Sequence, residues 1–487
     1  MDDSRYVQQM RRILTLQETS ALESVRDVYP MPSEAIGRGE VSDQLYEGYD
    51  HVDKVPDELY SQLHVKRGLR NSDGSGVLVG LTTISNVHGY EKVDGRAVPD
   101  EGRLTLRGYD MAELVQGAQS EERFGYEEVA YLLLSGSLPT AAQLEDFNRR
   151  LDSRRQLPTG FLHVFPRTSA SHSIMNILQR ATLLMYSFDE NPDDTSPQHE
   201  VDVAITLLAR LPRIAAIAQA AIIAASNNER LVVPPVQEGC SMAESVLSVL
   251  RGNQGFTREE ALLLDVMLML HAEHGGGNNS TFSCRVLSSS GTDAYSAYSA
   301  AIGSLKGPKH GGANYKVGEM IADIEHNVAN WESDDEVASY LGKILRREAF
   351  DGAGLIYGMG HAVYTKSDPR ATLVKRYARK LAEERGISDE LDLIQRVERL
   401  APEVMRDVRG ITKSVSSNID MYTGFVYSML GVPQKMYTPI FAIARMAGWA
   451  AHRMEELYGA SRIIRPAYNS CLTKQTYTPL AQRESQE

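Results

Sequence analysis

The stretch AYSAYSAAIGSLKGPKHGGANYKVGEMIADI, Ala294–Ile324, decides the fold class. On its N-terminal side Tyr298, Ile302 and Leu305 fall on one helical face. On its C-terminal side Val317, Met320, Ile321 and Ile324 keep the i, i+3, i+4, i+7 spacing of a second amphipathic helix. Between them GPKHGGAN, Gly307–Asn314, interrupts the pattern with proline and glycines. The same alternation of apolar helix and break runs from about Tyr109 to near the C-terminus; YEEVAYLLLSGSLPT is another amphipathic run stopped by Gly and Pro. Only SGVLVGLTTISNVHGYEK, Ser75–Lys92, alternates as a short strand pair would. Strand signals this sparse predict a mostly α body in which helices bury against helices.

The chain of 487 residues, 42% hydrophobic, is long enough for two or three structural units. Its net charge of −13 argues against a general nucleic-acid or anionic-membrane surface. Cys240, Cys284 and Cys471 are scattered, which is neither a disulfide framework nor a zinc pattern. They fit a reducing compartment and read as small buried hydrophobes. The opening MDDSRYVQQMRR carries early acids and lacks an apolar core, unlike a secretory signal or a transit peptide. IAAIAQAAIIAA, from Ile214, reads as a buried helix too short to cross a bilayer. These features predict a soluble, cytoplasmic protein with no membrane or nucleic-acid partner. Residues 1 to about 60 are charged and punctuated by proline, with one weak helix at Tyr6–Leu14, and read as an extension.

His310 stands in the break of the opening stretch, just ahead of a helix start. Unpaired N–H groups and the positive dipole end lie there, and both keep an imidazole neutral and able to donate. The flanking glycines let a ligand approach the backbone. The alternative is a loop histidine in a glycine-rich turn. Three other segments bear on that choice. HAEHGGGNNSTFSCR puts His271 and His274 at the end of an apolar helix. The pair lacks HExxH spacing and a third ligand, so it reads as a polar helix end rather than a metal site. YGMGHAVYTKSDPRA brings Gly358 and Gly360 beside His361, then offers Asp368 as N-cap, Pro369 as N1 and Arg370 in the first turn. An arginine there opposes the dipole unless an anion joins it; the alternative is a solvated arginine paired with a surface acid. SSNIDMYTGFVYSMLG opens a helix with Asp420, either a cap or a functional carboxylate. In FAIARMAGWAAHRMEE, Arg445 interrupts an apolar helix and must be buried. It then needs an anion, either a ligand or a structural partner. SRIIRPAYNS adds Arg462 and Arg465 near the C-terminus.

HAEHGGGNNS, GPKHGGAN, GMGHAVYTKSDPRA, NIDMYTG and FAIARMAGWAAH, in this order and with GRLTLRGYDMAELV ahead of them, resemble the successive signatures of the citrate synthase family. The resemblance spans about residues 75 to 470. It implies a mostly α, two-domain, homodimeric fold. Beyond the extension at 1–60, a large domain would take 61–311, a small domain 312–429, and the large domain would resume over 430–487. The family joins an acyl-CoA to oxaloacetate and then hydrolyses the thioester, with no permanently bound cofactor and no metal. Acetyl-CoA would give citrate. Propionyl-CoA, giving 2-methylcitrate, is the alternative, since one methylene discriminates by only about 1–3 kcal/mol. A non-catalytic CoA-binding scaffold is the alternative from another class.

By matching motif, the resemblance assigns Asp420 as the base and His310 as donor to the thioester oxygen. His361 would polarise the ketone. His274, Arg370, Arg445 and Arg465 would hold oxaloacetate, with Arg465 reaching into the site of a partner subunit. Lys366 and Lys309 are the candidates for CoA contacts. The sequence departs from many relatives at Gly275, where they carry an acid, and at Ala362, where bacterial members carry Arg. It also departs at Thr365, often basic in relatives, and in reading RPA where many have RPR.

Overall fold

The computed structural model describes residues 55–71, 74–93, 96–168, 173–227, 229, 231–251, 255–459 and 462–483. The expected N-terminal extension lies almost wholly outside these, and its helix at Tyr6–Leu14 entirely so. The chain divides into two units. The described part of the smaller one comprises 55–71, 74–78 and 463–483: a short helix Asp57–Gln62, a bridge between Arg70 and Gly76, and an extended C-terminal segment. The larger one, Val79–Arg462, carries the core.

The large unit starts with an antiparallel hairpin, β1 (Ser85–Val93) and β2 (Arg96–Leu106), to which a two-residue β3 (Tyr109–Asp110) is added. The register runs from Ser85 opposite Leu106 to Val93 opposite Arg96, with an irregularity at Gly89. The expected strand pair within Ser75–Lys92 is therefore corrected. Only its second half is strand, and its partner lies beyond Asp94-Gly95, a two-residue hairpin signal in the sequence.

The rest of the unit is helical. In chain order the helices that frame the polar groups are α1 (Arg258–His271), α2 (Asn279–Ser288), α3 (Ala294–Leu305), α4 (Ala313–Asn327), α5 (Pro369–Arg385), α6 (Ser388–Arg409), α7 (Asp420–Met429) and α8 (Tyr437–Tyr458). Tyr298, Ile302 and Leu305 of α3 and Val317, Met320 and Ile324 of α4 are fully buried, as the periodicity requires. Thr257 and Glu260 form a capping box at the start of α1. Asp265, buried in the middle of α1, accepts from the N–H groups of Gly125 and Tyr126 and so caps a neighbouring helix, Tyr126–Ser135, which has no side-chain cap of its own.

IAAIAQAAIIAA belongs to a helix of 31 residues, Pro197–Asn227, which packs on α8. It is long and apolar enough to span a bilayer, which the sequence reading missed, but 72% of its apolar window is buried inside the protein, as in a core helix. The cysteine expectation holds for Cys284 alone: Cys240 is half-buried and Cys471 exposed.

Candidate active site

Four helix starts and two paired loops bring the polar groups together. The loops are 358–361 and 416–420. Gly360 N–H donates to Ser416 O at 2.7 Å, Asn418 N–H donates to Gly358 O at 2.9 Å, and Met359 bridges Ser417. Gly358 has φ +81°, and a Cβ there would lie 3.0–3.1 Å from Met421. Only glycine allows this approach. Asn418 ties the strip further, donating to Gly360 O and accepting from Asp420 N–H at 3.0 Å. The chain turns into α7 there, so His361 and Asp420 emerge from one backbone unit.

Asp420 is the first residue of α7, and its side chain caps nothing. Its Oδ1 is buried without a hydrogen-bond partner. Burial raises its pKa to about 6, against the lowering pull of Arg370 and Arg445. The cap alternative for Asp420 is thereby set aside.

His310 sits in the turn between α3 and α4. Its Nε2 accepts from Ser280 N–H at 3.3 Å and lies 2.9 Å from Ser280 Oγ. An acceptor Nε2 places the ring proton on Nδ1. Trp449 Nε1–H donates to Ser280 Oγ and fixes that hydroxyl. Burial, helped by Arg445, lowers the pKa of His310 to about 4, so the ring is neutral at pH 7. The expected agent was the start of α4. The structure instead aims the first turn of α2 at the ring, because the turn at 307–312 carries His310 back over Ser280.

His361 Nδ1 accepts from the N–H groups of Val363 and Tyr364, both at 3.0 Å, which leaves the proton of the neutral ring on Nε2. Its ring stacks on Tyr364 at 4.5 Å and meets His274 edge-on at 5.0 Å. His274 Nε2 lies 3.3 Å from Tyr364 Oη, and burial, with Arg370 next, holds His274 well below the usual histidine range. Tyr364 thus supports two imidazoles. The hairpin backs this loop: Thr365 donates to Gly89 O at 2.6 Å, and Ser367 Oγ accepts from Gly102 N–H at 3.2 Å.

Asp368 caps α5 through Arg370 N–H, as expected, and also accepts from the Arg370 guanidinium at 3.1 and 2.8 Å. The alternative of a solvated, surface-paired arginine is corrected: the pair is buried on both sides. Burial works against the charge of Arg370, and Asp368 more than offsets it.

Arg445 is 1% exposed. Its Nε donates to His271 O at 2.6 Å, and its Cζ lies 4.7 Å from the Phe441 ring. Nη2 has no partner, and among the described residues no carboxylate stands within ion-pair distance. The structural ion-pair alternative fails here. Burial lowers the pKa of Arg445 to about 10, with Glu273, Arg370 and Asp420 within electrostatic reach. Glu273 binds His452 at 2.8 Å and Ser85 at 2.9 Å through Oε1, its Oε2 being buried without a hydrogen-bond partner, while His271 Nδ1 binds Met267 O at 2.7 Å. The polar helix end expected at HAEH is therefore three differently partnered side chains.

Lys309 and Lys366 are exposed, as is Arg465, which lies in the extended segment of the smaller unit. A separate cavity of about 1040 Å³, lined among others by Tyr315, Ile321, Arg385, Phe425 and Tyr437, contains none of His310, His361, Asp420 or Arg445. The sequence reading missed Ser280, Tyr364 and Asn418. Each lies inside a quoted motif, but their contacts join segments far apart in the chain, and no spacing reports that.

A helical body that gathers neutral imidazoles and a carboxyl with a buried, unpartnered oxygen around a guanidinium without an ion-pair partner has the groups that acid–base chemistry on an anionic small molecule requires. Comparison with known proteins makes this specific. Residues 72–467 match the family described as citrate synthase, C-terminal domain. The chain is 32% identical to 2-methylcitrate synthase 1 of Corynebacterium glutamicum, over 87% of this chain and all of that protein. It is also 32% identical to the citrate synthase of Haloferax volcanii, over 82% of this chain and 94% of that one. Among solved structures it is similar to the citrate synthase of Thermotoga maritima, with a TM-score of 0.65 and 27% identity over 84% of this chain and 98% of that one. The Thermoplasma acidophilum citrate synthase, solved with carboxymethyl coenzyme A and oxaloacetate, shares the fold at a TM-score of 0.67 and 24% identity, over 86% and 99% of the two chains. The chain belongs to the citrate synthase family.

Proposed function

We propose that this enzyme condenses acetyl-CoA with oxaloacetate and hydrolyses the resulting thioester to citrate and free CoA. The observation that carries the reading is Arg445, a buried guanidinium with no carboxylate partner, within electrostatic reach of Asp420, His310 and His274. Such a charge is costly to the ligand-free fold, and an anionic ligand would offset that cost. Oxaloacetate carries two carboxylates. Arg445 and Arg370 take them, with Arg465 of a second subunit as a third donor, and the ketone is thereby aligned.

His361 donates Nε2–H to the ketone oxygen, with His274 beside it. Asp420, ionised, takes a proton from the acyl α-carbon while His310 donates Nδ1–H to the thioester oxygen. The enolate carbon forms the C–C bond to the ketone carbon, and the ketone oxygen takes up a proton. Water then cleaves the thioester and CoA leaves as the thiol. Lys309 and Lys366, both exposed, are the candidates for contact with the CoA phosphates. The cleft is that between a large domain (61–311 and 430–487) and a small one (312–429), and the enzyme works as a cytoplasmic homodimer.

Propionyl-CoA is the second substrate to test, because both citrate and 2-methylcitrate synthases stand at 32% identity. The experiment is thiol release from each acyl-CoA with oxaloacetate. Asp420→Ala is expected to abolish release while oxaloacetate still raises the thermal midpoint. Turnover persisting in that variant removes Asp420 from the role. No release from either acyl-CoA by the parent favours the scaffold reading.

A further inference from the structure

Glu398 lies on α6, away from the groups given chemical roles above. Its half-buried carboxylate accepts from three side chains on three elements. Lys375 Nζ of α5 stands at 2.9 and 3.2 Å, and the hydroxyls of Ser417 and Tyr422 complete the set. Burial acts to raise its pKa, and the three donors bring it below the ordinary value, so it is ionised at neutral pH.

Its two hydroxyl partners bracket Asp420. Ser417 comes three residues before it and Tyr422 two after. Ser417 is also the residue whose backbone bridges Met359, beside the Gly360 N–H bond to Ser416 O. One carboxylate therefore fastens the peptide on both sides of Asp420 and the strip that leads to His361. All three neighbours donate to it, and Lys375 contacts both oxygens. An amide of the same shape keeps one acceptor oxygen, loses the charge that pairs with Lys375, and satisfies its NH2 only if a hydroxyl turns round to accept.

We propose that Glu398 is a positioning residue for the condensation: it keeps the Asp420 carboxyl in the position that buries its Oδ1 and keeps the 358–361 loop in register. This rests on the function proposed above. The competing role is a plain ion pair that holds α5, α6 and α7 together. The two separate in a pH profile. Asp420 is faced by Arg370 and Asp368 of α5, by Arg445 of α8 and by Tyr427 of its own helix. A carboxyl released from that position gains water and becomes a stronger acid.

Glu398→Gln is expected to lower kcat about tenfold or more. The KM for oxaloacetate should stay within about threefold, and the acid limb of kcat/KM should move to lower pH by about one unit. Tyr422→Phe should move both quantities in the same direction by less, and the double variant should be no worse than Glu398→Gln alone. Full-length protein is used throughout, with activity measured well below each thermal midpoint. A thermal midpoint lowered with the acid limb in place, or kinetics equal to the parent, overturns the proposal. A parent that releases no thiol refutes the reaction instead. Glu398 is then judged by the titration of the Asp420 carboxyl in 13C spectra, assigned against Asp420→Asn: an unchanged titration in Glu398→Gln rejects it.

Discussion

Replacing Asp420 by Asn should make the protein more stable at pH 8 while removing its activity. Burial lifts the Asp420 pKa from 3.8 to about 6. Two units at 1.36 kcal/mol each come to about 3 kcal/mol. The sign follows from the folded state binding the proton more tightly than the unfolded chain. Below pH 3.8 both states are protonated and the carboxyl costs nothing. Between there and pH 6 the unfolded chain ionises first, and above pH 6 the full cost of about 3 kcal/mol is felt. Asn has no charge to bury. Its advantage over the parent is therefore about 3 kcal/mol at pH 8 and roughly half that at pH 5. The assay is the difference in thermal midpoint, variant minus parent, read at both pH values in ligand-free protein, together with thiol release. A variant no more stable than the parent at pH 8, or a difference that does not shrink at pH 5, would show that the carboxylate is already compensated, and the argument for a poised base would fail. Loss of a general base should cost about 10²–10⁴-fold in turnover.

Arg445→Met should also stabilise the ligand-free protein, by up to about 3 kcal/mol at pH 7, because a pKa lowered from 12.5 to about 10 marks a charge the fold disfavours; the variant should lose the rise in thermal midpoint that oxaloacetate gives the parent, and retained protection would remove Arg445 from the anion site. Gly448→Ala puts a Cβ 2.4 Å from both Ala272 O and Glu273 Oε2. Displacing α8 should cost about 1–3 kcal/mol and weaken oxaloacetate binding by calorimetry, whereas wild-type affinity would mean that α8 does not set the anion site. The acid limb of kcat should lie at higher pH than that of kcat/KM for oxaloacetate, since bound carboxylates cancel the pull of Arg370 and Arg445 on Asp420. Equal limbs would mean that those arginines are not quenched by substrate.

The helical body was legible because apolar period survives in a single sequence: Val317, Met320, Ile321 and Ile324 are buried where the spacing puts them. The hairpin partner was not, because β2 holds Pro99, Asp100, Glu101 and Gly102, which blur its alternation, and the Asp-Gly hairpin signal at 94–95 in the sequence went unread. Among the polar groups, caps read well. Asp368 and Pro369 open α5 as their local chemistry dictates. What no local rule could supply is which distant backbone meets a side chain. His310 stays neutral, as expected, but through burial and the charge of Arg445 rather than through its own helix, and the N–H that it accepts from belongs to Ser280, thirty residues away. Arg445 was legible as buried, since a charge amid Ile443, Ala444, Met446 and Ala447 has nowhere else to go. That it lacks a partner was not, because the two acids within electrostatic reach, Glu273 and Asp420, are held by other groups or by none.

That last arrangement has a physical reason. Asp420 and Arg445 feel each other's charge, yet they do not pair. Contact would relieve both at once. The guanidinium would gain its anion, the carboxylate would gain donors, and the pKa of Asp420 would fall toward that of a salt-bridged acid. A carboxylate so satisfied is a poor base and a guanidinium so satisfied a poor anion receptor. The fold prevents contact by anchoring each from behind. Arg445 is held by His271 O and the face of Phe441 on α8, while Asp420 is held by Asn418 and the bridge to Met359 at the start of α7. Arg370 shows the contrast, since its neighbour Asp368 does pair with it. An incoming carboxylate there must compete with, or add to, an existing partner, whereas at Arg445 it meets none. Of the two arginines, Arg445 would therefore gain more from the oxaloacetate proposed here, and the separation from Asp420 is what the surrounding packing of α1, α7 and α8 maintains.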